Sequence, residues 1–124
     1  MKQTYETGLS GEKRAADWLK TEHGMRVLEQ RCRTKAGEID LIMLDHETVV
    51  FVEVKTRLRT ERAGEGVMAV DRRKQQRITN ASILYLLKKG WMNRAVRYDI
   101  VEVRQDGILY VPNAFQPGVG LFYR

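Results

Sequence analysis

The sequence predicts a mixed α/β domain whose elements follow the order α-β-β-β-α-β-β. Two observations carry this prediction. Apolar residues recur with a helical period near the start and in the second half of the chain, and runs rich in β-branched residues lie between and after them. The 124 residues suit one domain, over residues 1–124, and 43% of them are apolar, which is enough to bury a core.

Spacing and end signals predict the two helices. In the first, Thr4–His23, a face that runs from Glu12 to Leu19 repeats every three or four residues. The second, Asp71–Lys89, has Asp71 as a capping residue and two lysines in its last turn. A glycine directly follows each helix, as expected for a helix stop.

Five strands are predicted from β-branched and aromatic content and from turn residues. They are Met25–Arg33, Glu38–Leu44, Val49–Arg57, Val96–Arg104 and Ile108–Val111. The last two form a hairpin across Gln105–Gly107. Between the third strand and the second helix, Leu58–Gly66 is polar and charged, so we expect a mobile loop there, and we expect an irregular tail from Pro112.

The central hairpin holds the most informative pattern. Residues two apart on a strand share a face, so Asp40 lies on the face of Ile42, and Glu53 on the face of Lys55. A hairpin loop of two or four residues, His46–Glu47 or 45–48, places Asp40 opposite Glu53 and Glu38 opposite Lys55. The reverse faces are wholly apolar and are expected in the core: Ile39, Leu41, Met43, Val50, Val52 and Val54.

Two opposed carboxylates indicate a shared cation. Directly opposed residues lie ~4.5–5.5 Å apart at Cβ, where like charges destabilise the pair. Mg²⁺, with Mn²⁺ as the alternative, takes one or two carboxylates together with waters and phosphate oxygens. A solvated ion pair between Glu53 and Lys55, or a pair between Asp40 and Lys55, would explain the same residues without a metal.

The pattern Asp40…Glu53-Val54-Lys55 resembles the D…(D/E)-x-K motif of restriction-endonuclease-like nucleases. Three further stretches are similar to the bacterial YraN family over nearly the whole chain: Gly8-x-x-Gly11-Glu12-x-x-Ala15, 37–42 and 51–57, together with Lys74 and Arg97-Tyr98-Asp99. The resemblance implies a restriction-endonuclease-like mixed sheet flanked by helices, similar to archaeal Holliday-junction resolvases. Ile39 stands where that motif often has proline.

By resemblance, Asp40, Glu53 and the Val54 carbonyl would hold the metal, and Lys55 would orient or activate the attacking water. Glu12 resembles a first-helix glutamate that assists metal binding. Alternatively, Glu12 is a carboxylate of the helix's N-terminal turn, favoured there by the helix dipole.

Basic residues follow the candidate site in the sequence. Lys74 either reaches the site and contacts the scissile phosphate, or extends harmlessly towards solvent. Arginines of the loop and second helix are candidates for phosphate binding, although any single one is an ordinary solvated side chain in the alternative interpretation. With Lys74, the candidates for nucleic-acid binding are Arg57, Arg59, Arg72, Arg73 and Arg77.

The charge balance suits an anionic partner, since 22 Lys+Arg against 16 Asp+Glu give a net charge of +6. We expect that the anionic partner is DNA and that the protein is a metal-dependent endonuclease that cleaves it. The resemblance implies branched or structured DNA as the substrate. The alternatives are a nucleic-acid-binding adaptor on a nuclease fold and a protein whose basic face binds acidic protein. A homodimer would suit symmetric branched substrates, and a protein partner in DNA processing is a further expectation.

The remaining composition bears on location. We expect no membrane span, since no apolar run approaches ~20 residues. The polar opening Met1–Glu6 lacks the pattern of a signal peptide, and the single cysteine, Cys32, fits a reducing cytoplasm.

Overall fold

A computed structural model describes residues 2–57 and 62–117, and for residues 2–9 it describes the backbone. The elements are α1 (Lys2–His23), β1 (Arg26–Thr34), β2 (Gly37–Asp45), β3 (Thr48–Thr56), α2 (Glu65–Met68), α3 (Arg72–Lys89), β4 (Val96–Arg104) and β5 (Gly107–Val111). This confirms the mixed α/β class and the predicted order of the main elements. The short helix α2 is an addition, and it begins inside the segment predicted as a loop.

The five strands form one sheet in the order β1-β2-β3-β4-β5. The β3–β4 pair is parallel and the other three pairs are antiparallel. The connection from β3 to β4 passes through α2 and α3, because parallel neighbours need a crossover. The mixed sheet is therefore the one that the sequence predicts.

The helices cover opposite faces of the sheet. Ala15, Ala16 and Leu19 of α1 pack on the face that carries Leu41 and Val52. Ile78, Ala81 and Tyr85 of α3 pack on the face that carries Phe51 and Ile100. Each face is buried by one helix, so the β3–β4 pair at the centre of the sheet is enclosed on both sides.

The predicted helix ends are confirmed by the local geometry. The Asp71 side chain accepts a hydrogen bond from the Lys74 backbone N–H at 3.0 Å and caps α3. Gly24 and Gly90, with φ of 65° and 73°, adopt the left-handed backbone that ends α1 and α3. The β2–β3 turn is His46–Glu47, because Asp45 pairs with Thr48.

The prediction that Ile39 lies in the core is confirmed, but its predicted face is wrong. Ile39 is buried, yet it packs in the α3-side core with Ile42 and not with Leu41 and Met43. The hydrogen-bonded pairing of β2 with β3 ends at Leu41↔Val52. Beyond that point β2 pairs with β1 alone, and the alternation of faces does not continue through Ile39.

Among the described residues, no helix is long and apolar enough to cross a membrane. The predicted loop Leu58–Gly66 is only partly covered, since residues 58–61 lie outside the described residues.

Candidate active site

The two candidate metal ligands lie where β2 and β3 separate. The pairing between these strands follows the predicted register as far as Leu41↔Val52, one position short of Asp40. There the Asp40 carboxylate accepts a hydrogen bond from the Val54 backbone N–H at 2.8 Å. A side chain thus replaces the next backbone bond, and it holds Asp40 beside β3.

The predicted pairing of Glu38 with Lys55 is not observed. Glu38 instead accepts a hydrogen bond from Arg33 of β1 at 3.1 Å, in a largely exposed ion pair. The β2–β3 ladder has already ended at this point, so β2 pairs with β1 alone. Glu38 is therefore outside the site.

Asp40 and Glu53 act on each other electrostatically. Glu53 is buried, with 5% of its surface exposed. Burial is the main cause that raises the pKa of Asp40, and the nearby Glu53 carboxylate raises it further. The Val54 N–H opposes these effects but does not outweigh them. Asp40 therefore holds a proton more readily than an ordinary aspartate.

Two lysines face Glu53. The Nζ of Lys74 lies 2.8 Å from Oε2 of Glu53, and the Nζ of Lys55 lies 3.4 Å from the same oxygen. Of the two alternatives for Lys74, the structure therefore shows the one in which the side chain reaches the site. The ion pair between Glu53 and Lys55 that the alternative interpretation expected is present, but it is buried and not solvated, because the two side chains are only 6% and 16% exposed.

The two lysines differ in their pKa shifts. Burial is the largest cause that lowers the pKa of Lys55, and the neighbouring Lys74 lowers it further. Burial is also the largest cause that acts against the charged form of Lys74, but its hydrogen bonds to Glu53 and Lys55 and the charges of Glu53 and Asp40 together outweigh it, and the pKa of Lys74 is raised. Lys55 is therefore the more readily deprotonated amine of the pair.

Glu12 projects from α1 towards the same end of the sheet. Its carboxylate is buried and accepts a hydrogen bond from Nε of Arg31 at 2.9 Å. Burial raises the pKa of Glu12 against the effect of Arg31, and the charges of Glu38 and Glu53 add to the rise. The alternative that placed Glu12 in the N-terminal turn is wrong, since α1 begins at Lys2 and Glu12 lies well inside it.

A glycine allows α1 to approach the site closely. A Cβ atom on Gly11 would collide with Oγ1 of Thr56, the last residue of β3. Only a residue without a side chain fits there, so Gly11 sets the distance between α1 and the strand that carries Glu53 and Lys55.

The predicted phosphate-binding residues fall into three groups. Arg57 directly follows β3, and its Nη1 donates to the Thr56 carbonyl at 3.1 Å. Arg72, Arg73 and Arg77 are exposed in the first half of α3, the same half that carries Lys74. Arg59 lies outside the described residues.

Glu102 of β4 is a site-supporting residue that the sequence analysis missed. It is fully buried and accepts hydrogen bonds from the backbone N–H groups of Gly64 at 2.8 Å and Gly66 at 2.6 Å. Glu102 also forms an ion pair with Arg104, whose Nη1 lies 3.2 Å from Oε2 of Glu102. Burial acts to raise the pKa of Glu102, but these donors outweigh it and the pKa is lowered.

These contacts fix α2 against the strand of Lys55. A Cβ on Gly66 would lie 2.7 Å from Oε1 of Glu102 and 2.9 Å from Cβ of Lys55. Glu102 and Lys55 are neighbours in the parallel register of β3 and β4. The one available signal in the sequence was an acidic residue within the apolar run 100–103 of β4.

Among the residues that the structure describes, no three acidic, histidine or cysteine side chains are arranged to hold a metal ion. The side chains that could contribute are the Asp40–Glu53 pair, with the Val54 carbonyl as a further oxygen donor. Such a pair leaves the remaining positions of a cation to water and to substrate oxygens. The site thus brings together two carboxylates, one amine whose pKa is lowered and one whose pKa is raised.

The thiol at Cys32 has a raised pKa. Burial is the main cause that raises its pKa to about 11, and Glu29 adds to the rise. The thiol therefore stays protonated at neutral pH.

Comparisons with known proteins agree with this arrangement of motifs. Residues 11–103 match the family described as Uncharacterised protein family UPF0102. A UPF0102 protein of Syntrophus aciditrophicus is 45% identical over 124 residues, which covers 97% of this chain and 96% of that protein. A UPF0102 protein of Pseudomonas putida is 42% identical over 115 residues, which covers 88% of this chain and 92% of that protein. The chain belongs to the UPF0102 family, which is the YraN family that its motifs resemble.

Proposed function

We propose that this protein is a metal-dependent endonuclease with a restriction-endonuclease-like fold, and that it hydrolyses phosphodiester bonds in DNA. The observation that carries the proposal is the adjacent pair Asp40 and Glu53, with Lys55 and Lys74 both on Glu53. Branched or structured DNA is the substrate class that the resemblance to resolvases implies.

The donor chemistry fits a hard divalent cation. Asp40 and Glu53 offer only oxygen atoms, and burial together with the nearby Glu53 carboxylate raises the pKa of Asp40, so a positive ion between them would be stabilised. The backbone carbonyl of Val54 is the third candidate donor to the metal, and the backbone N–H of the same residue donates a hydrogen bond to Asp40. Mg²⁺ suits this set, and Mn²⁺ is the alternative. When bound, the metal would supply Lewis-acid stabilisation of charge on the phosphate.

The side chains around the pair have separate tasks. Lys55, whose pKa is lowered by burial and by Lys74, accepts a proton at Nζ from the attacking water. Lys74, held in its charged form by Glu53, stabilises negative charge on the phosphate in the transition state. Glu12 assists from α1 by fixing Arg31 at this end of the sheet.

The basic residues beyond the site bind the backbone of the substrate. Arg57, Arg72, Arg73 and Arg77 present guanidinium groups near the ends of β3 and at the start of α3. Arg59 is assigned the same task from its place in the sequence. Such contacts position a nucleic acid without selecting its sequence.

A cleavage panel tests the proposal. Wild type, Glu53→Gln and Lys55→Ala are incubated with branched, single-stranded and duplex DNA, each with Mg²⁺, Mn²⁺ or chelator. We expect cleavage only with metal, and a loss of at least ~100-fold in both variants. Glu47→Gln is the matched control, since Glu47 is an exposed carboxylate in the turn of the same hairpin. The proposal is overturned if no substrate is cut with either metal, or if Glu53→Gln cuts as fast as wild type.

A second function is favoured by one observation. Glu53 already has two ammonium partners, at 2.8 and 3.4 Å, so its charge is compensated without a metal. A nucleic-acid-binding adaptor would need no more than this. It would bind DNA in a salt-sensitive manner that chelator leaves unchanged, and would cleave none of the substrates.

A further inference from the structure

A basic cavity lies on the α3 side of the sheet, beside the start of β2, since its lining residues Cys32 and Arg33 pair with Ile39 and Glu38. It has a volume of about 480 Å³ and is formed by the end of β1, the turn that follows it, and the last turns of α3. A volume of this size lies within the range of small-ligand sites. Four cationic side chains line it: Arg33, Lys35, Lys88 and Lys89.

The positive charges of this cavity are poorly compensated. Glu29 is its one acidic lining residue. Arg33 has Glu38 as a partner, but no carboxylate within the described ranges pairs with Lys35 or Lys88. The partial negative charge at the end of α3 offsets only about half a unit of charge. The cavity therefore attracts an anion.

The other walls suit the apolar parts of a nucleotide chain. Leu84 and Tyr85 of α3 lie beside the cations, and Nζ of Lys89 lies 5.7 Å from the centre of the Tyr85 ring. Leu84 is 39% exposed, although it is apolar. Cys32 also lines the cavity and adds no negative charge, because its thiol stays protonated.

Helix α3 connects this cavity to the candidate active site. Lys74, which contacts Glu53, lies in its first turn, and Lys88 lies in its last turn. At 1.5 Å per residue, the backbone positions of these two lysines are about 21 Å apart. That length corresponds to about six base pairs of duplex DNA.

We propose that this basic cavity binds phosphodiester groups of the same nucleic acid whose scissile phosphate lies at Asp40–Glu53, with Lys88 and Lys89 contacting it about six base pairs from Lys74. The assignment rests on the proposed function for the location of the cut. It extends the DNA-binding surface from the predicted arginines at the start of α3 along the helix to its end. A nucleic acid too short to span α3 gains nothing from this second contact.

The test compares two double charge reversals in the full chain. Lys88→Glu/Lys89→Glu alters the cavity, and Lys13→Glu/Lys20→Glu is the matched control, since it makes the same charge change at exposed lysines of α1. DNA binding is measured in chelator, so that it does not depend on cleavage, against salt concentration and against duplex length. Unfolding midpoints verify that both variants fold.

We expect the cavity variant to weaken binding of long duplexes by at least ~10-fold and to lower the salt slope by about two. Duplexes shorter than about six base pairs are expected to bind both variants equally. Equal losses in the two variants, or a loss that does not depend on length, would overturn the assignment. Inorganic phosphate that displaces long duplexes at millimolar concentration would also overturn it, since it would indicate an isolated phosphate site.

The two proposals fail in different ways. A length-dependent effect at Lys88 and Lys89 in a protein that cuts no DNA overturns the nuclease and retains the cavity as a nucleic-acid contact. Metal-dependent cleavage with equal losses in the two variants retains the nuclease and overturns the cavity.

Discussion

Two buried or partly buried carboxylates of the sheet have pKa values that are shifted in opposite directions. Glu102 of β4 is enclosed by the N–H groups of Gly64 and Gly66 and by Arg104, and its pKa is lowered despite burial. Asp40 of β2 has one N–H donor and faces the carboxylate of Glu53, and its pKa is raised. Hydrogen bonds therefore stabilise the charge of Glu102, whereas the nearby carboxylate of Glu53 disfavours the charge of Asp40.

The opposite pKa shifts distinguish an acid that stabilises the fold from an acid whose environment suits a functional site. A buried charge with every partner in place fixes local geometry, and Glu102 fixes α2 against Lys55. Asp99, three residues before Glu102 in β4, is another such acid, bound by Arg97, by the Tyr110 hydroxyl at 2.5 Å and by the Asn113 N–H. The charge of Lys74 acts on Asp40 but is shared with Glu53, to which Lys74 is bonded directly, and a carboxyl with a raised pKa beside a second acid is typical of sites that bind metal or move protons.

The largest expected effect concerns Glu102. Glu102→Ala leaves two backbone N–H groups and Arg104 without their buried acceptor, so we expect a loss of about 3–5 kcal/mol in the free energy of unfolding. Denaturant unfolding measures it. Glu102→Gln, which keeps an acceptor for one N–H, should lose less. A loss below ~1 kcal/mol for Glu102→Ala would show that Glu102 does not hold α2 in place.

The pH dependence of stability measures the conflict at Asp40. A carboxyl whose pKa is raised on folding takes up protons, so its contribution is complete below the unfolded pKa of ~3.9 and is lost as pH rises through the folded value. Asp40→Asn keeps an acceptor for the Val54 N–H and removes this loss. We expect the variant to be about 1–2 kcal/mol more stable than wild type at alkaline pH, with the gap closing towards pH ~4.

The comparison is made from unfolding free energies of the two proteins across that pH range without added metal. Glu38→Gln serves as the control, because it removes an exposed carboxylate of the same strand. If the curves of wild type and Asp40→Asn run parallel, the repulsion inferred at Asp40 is absent.

Metal binding should compensate the negative charges of Asp40 and Glu53. A divalent cation at ten times its dissociation constant stabilises the folded protein by about 1.4 kcal/mol. We expect this rise in thermal stability with Mg²⁺ in wild type, and none in Asp40→Asn or Glu53→Gln. Titration of Mg²⁺ during thermal unfolding measures it. An equal rise in all three proteins would place the cation elsewhere.

Local chemistry made most of this fold predictable from the sequence. The cap at Asp71, the glycine stops and the even-length turn at His46–Glu47 each depend on a few neighbouring residues. The even turn then fixed which residues of the hairpin oppose each other, and so placed Asp40 near Glu53. Nothing local indicated where the β2–β3 ladder ends, so the face of Ile39 and the partner of Glu38 were predicted wrongly.

The supporting residues of the site depend on contacts between distant segments. Glu102 meets Gly66 because β3 and β4 are parallel neighbours, and no spacing in the sequence reports that pairing. Gly11 is needed because α1 crosses β3 at Thr56. The sequence therefore indicated that Asp40, Glu53 and Lys55 lie close together, whereas the contacts of Glu102 and Gly11 required the tertiary structure.

The smallest effect on stability is expected at the exposed arginines, and it distinguishes binding from structure. Arg72 and Arg77 are exposed on α3, so we expect Arg72→Ala and Arg77→Ala to change the free energy of unfolding by less than ~0.5 kcal/mol. Each should nevertheless lower the salt slope of DNA binding by about one, because each removes one phosphate contact. Lys20→Ala, an exposed cation on α1, should leave that slope unchanged. An unchanged slope in both arginine variants would mean that the start of α3 does not touch the DNA backbone, and that the basic surface beside Glu53 is only solvated charge.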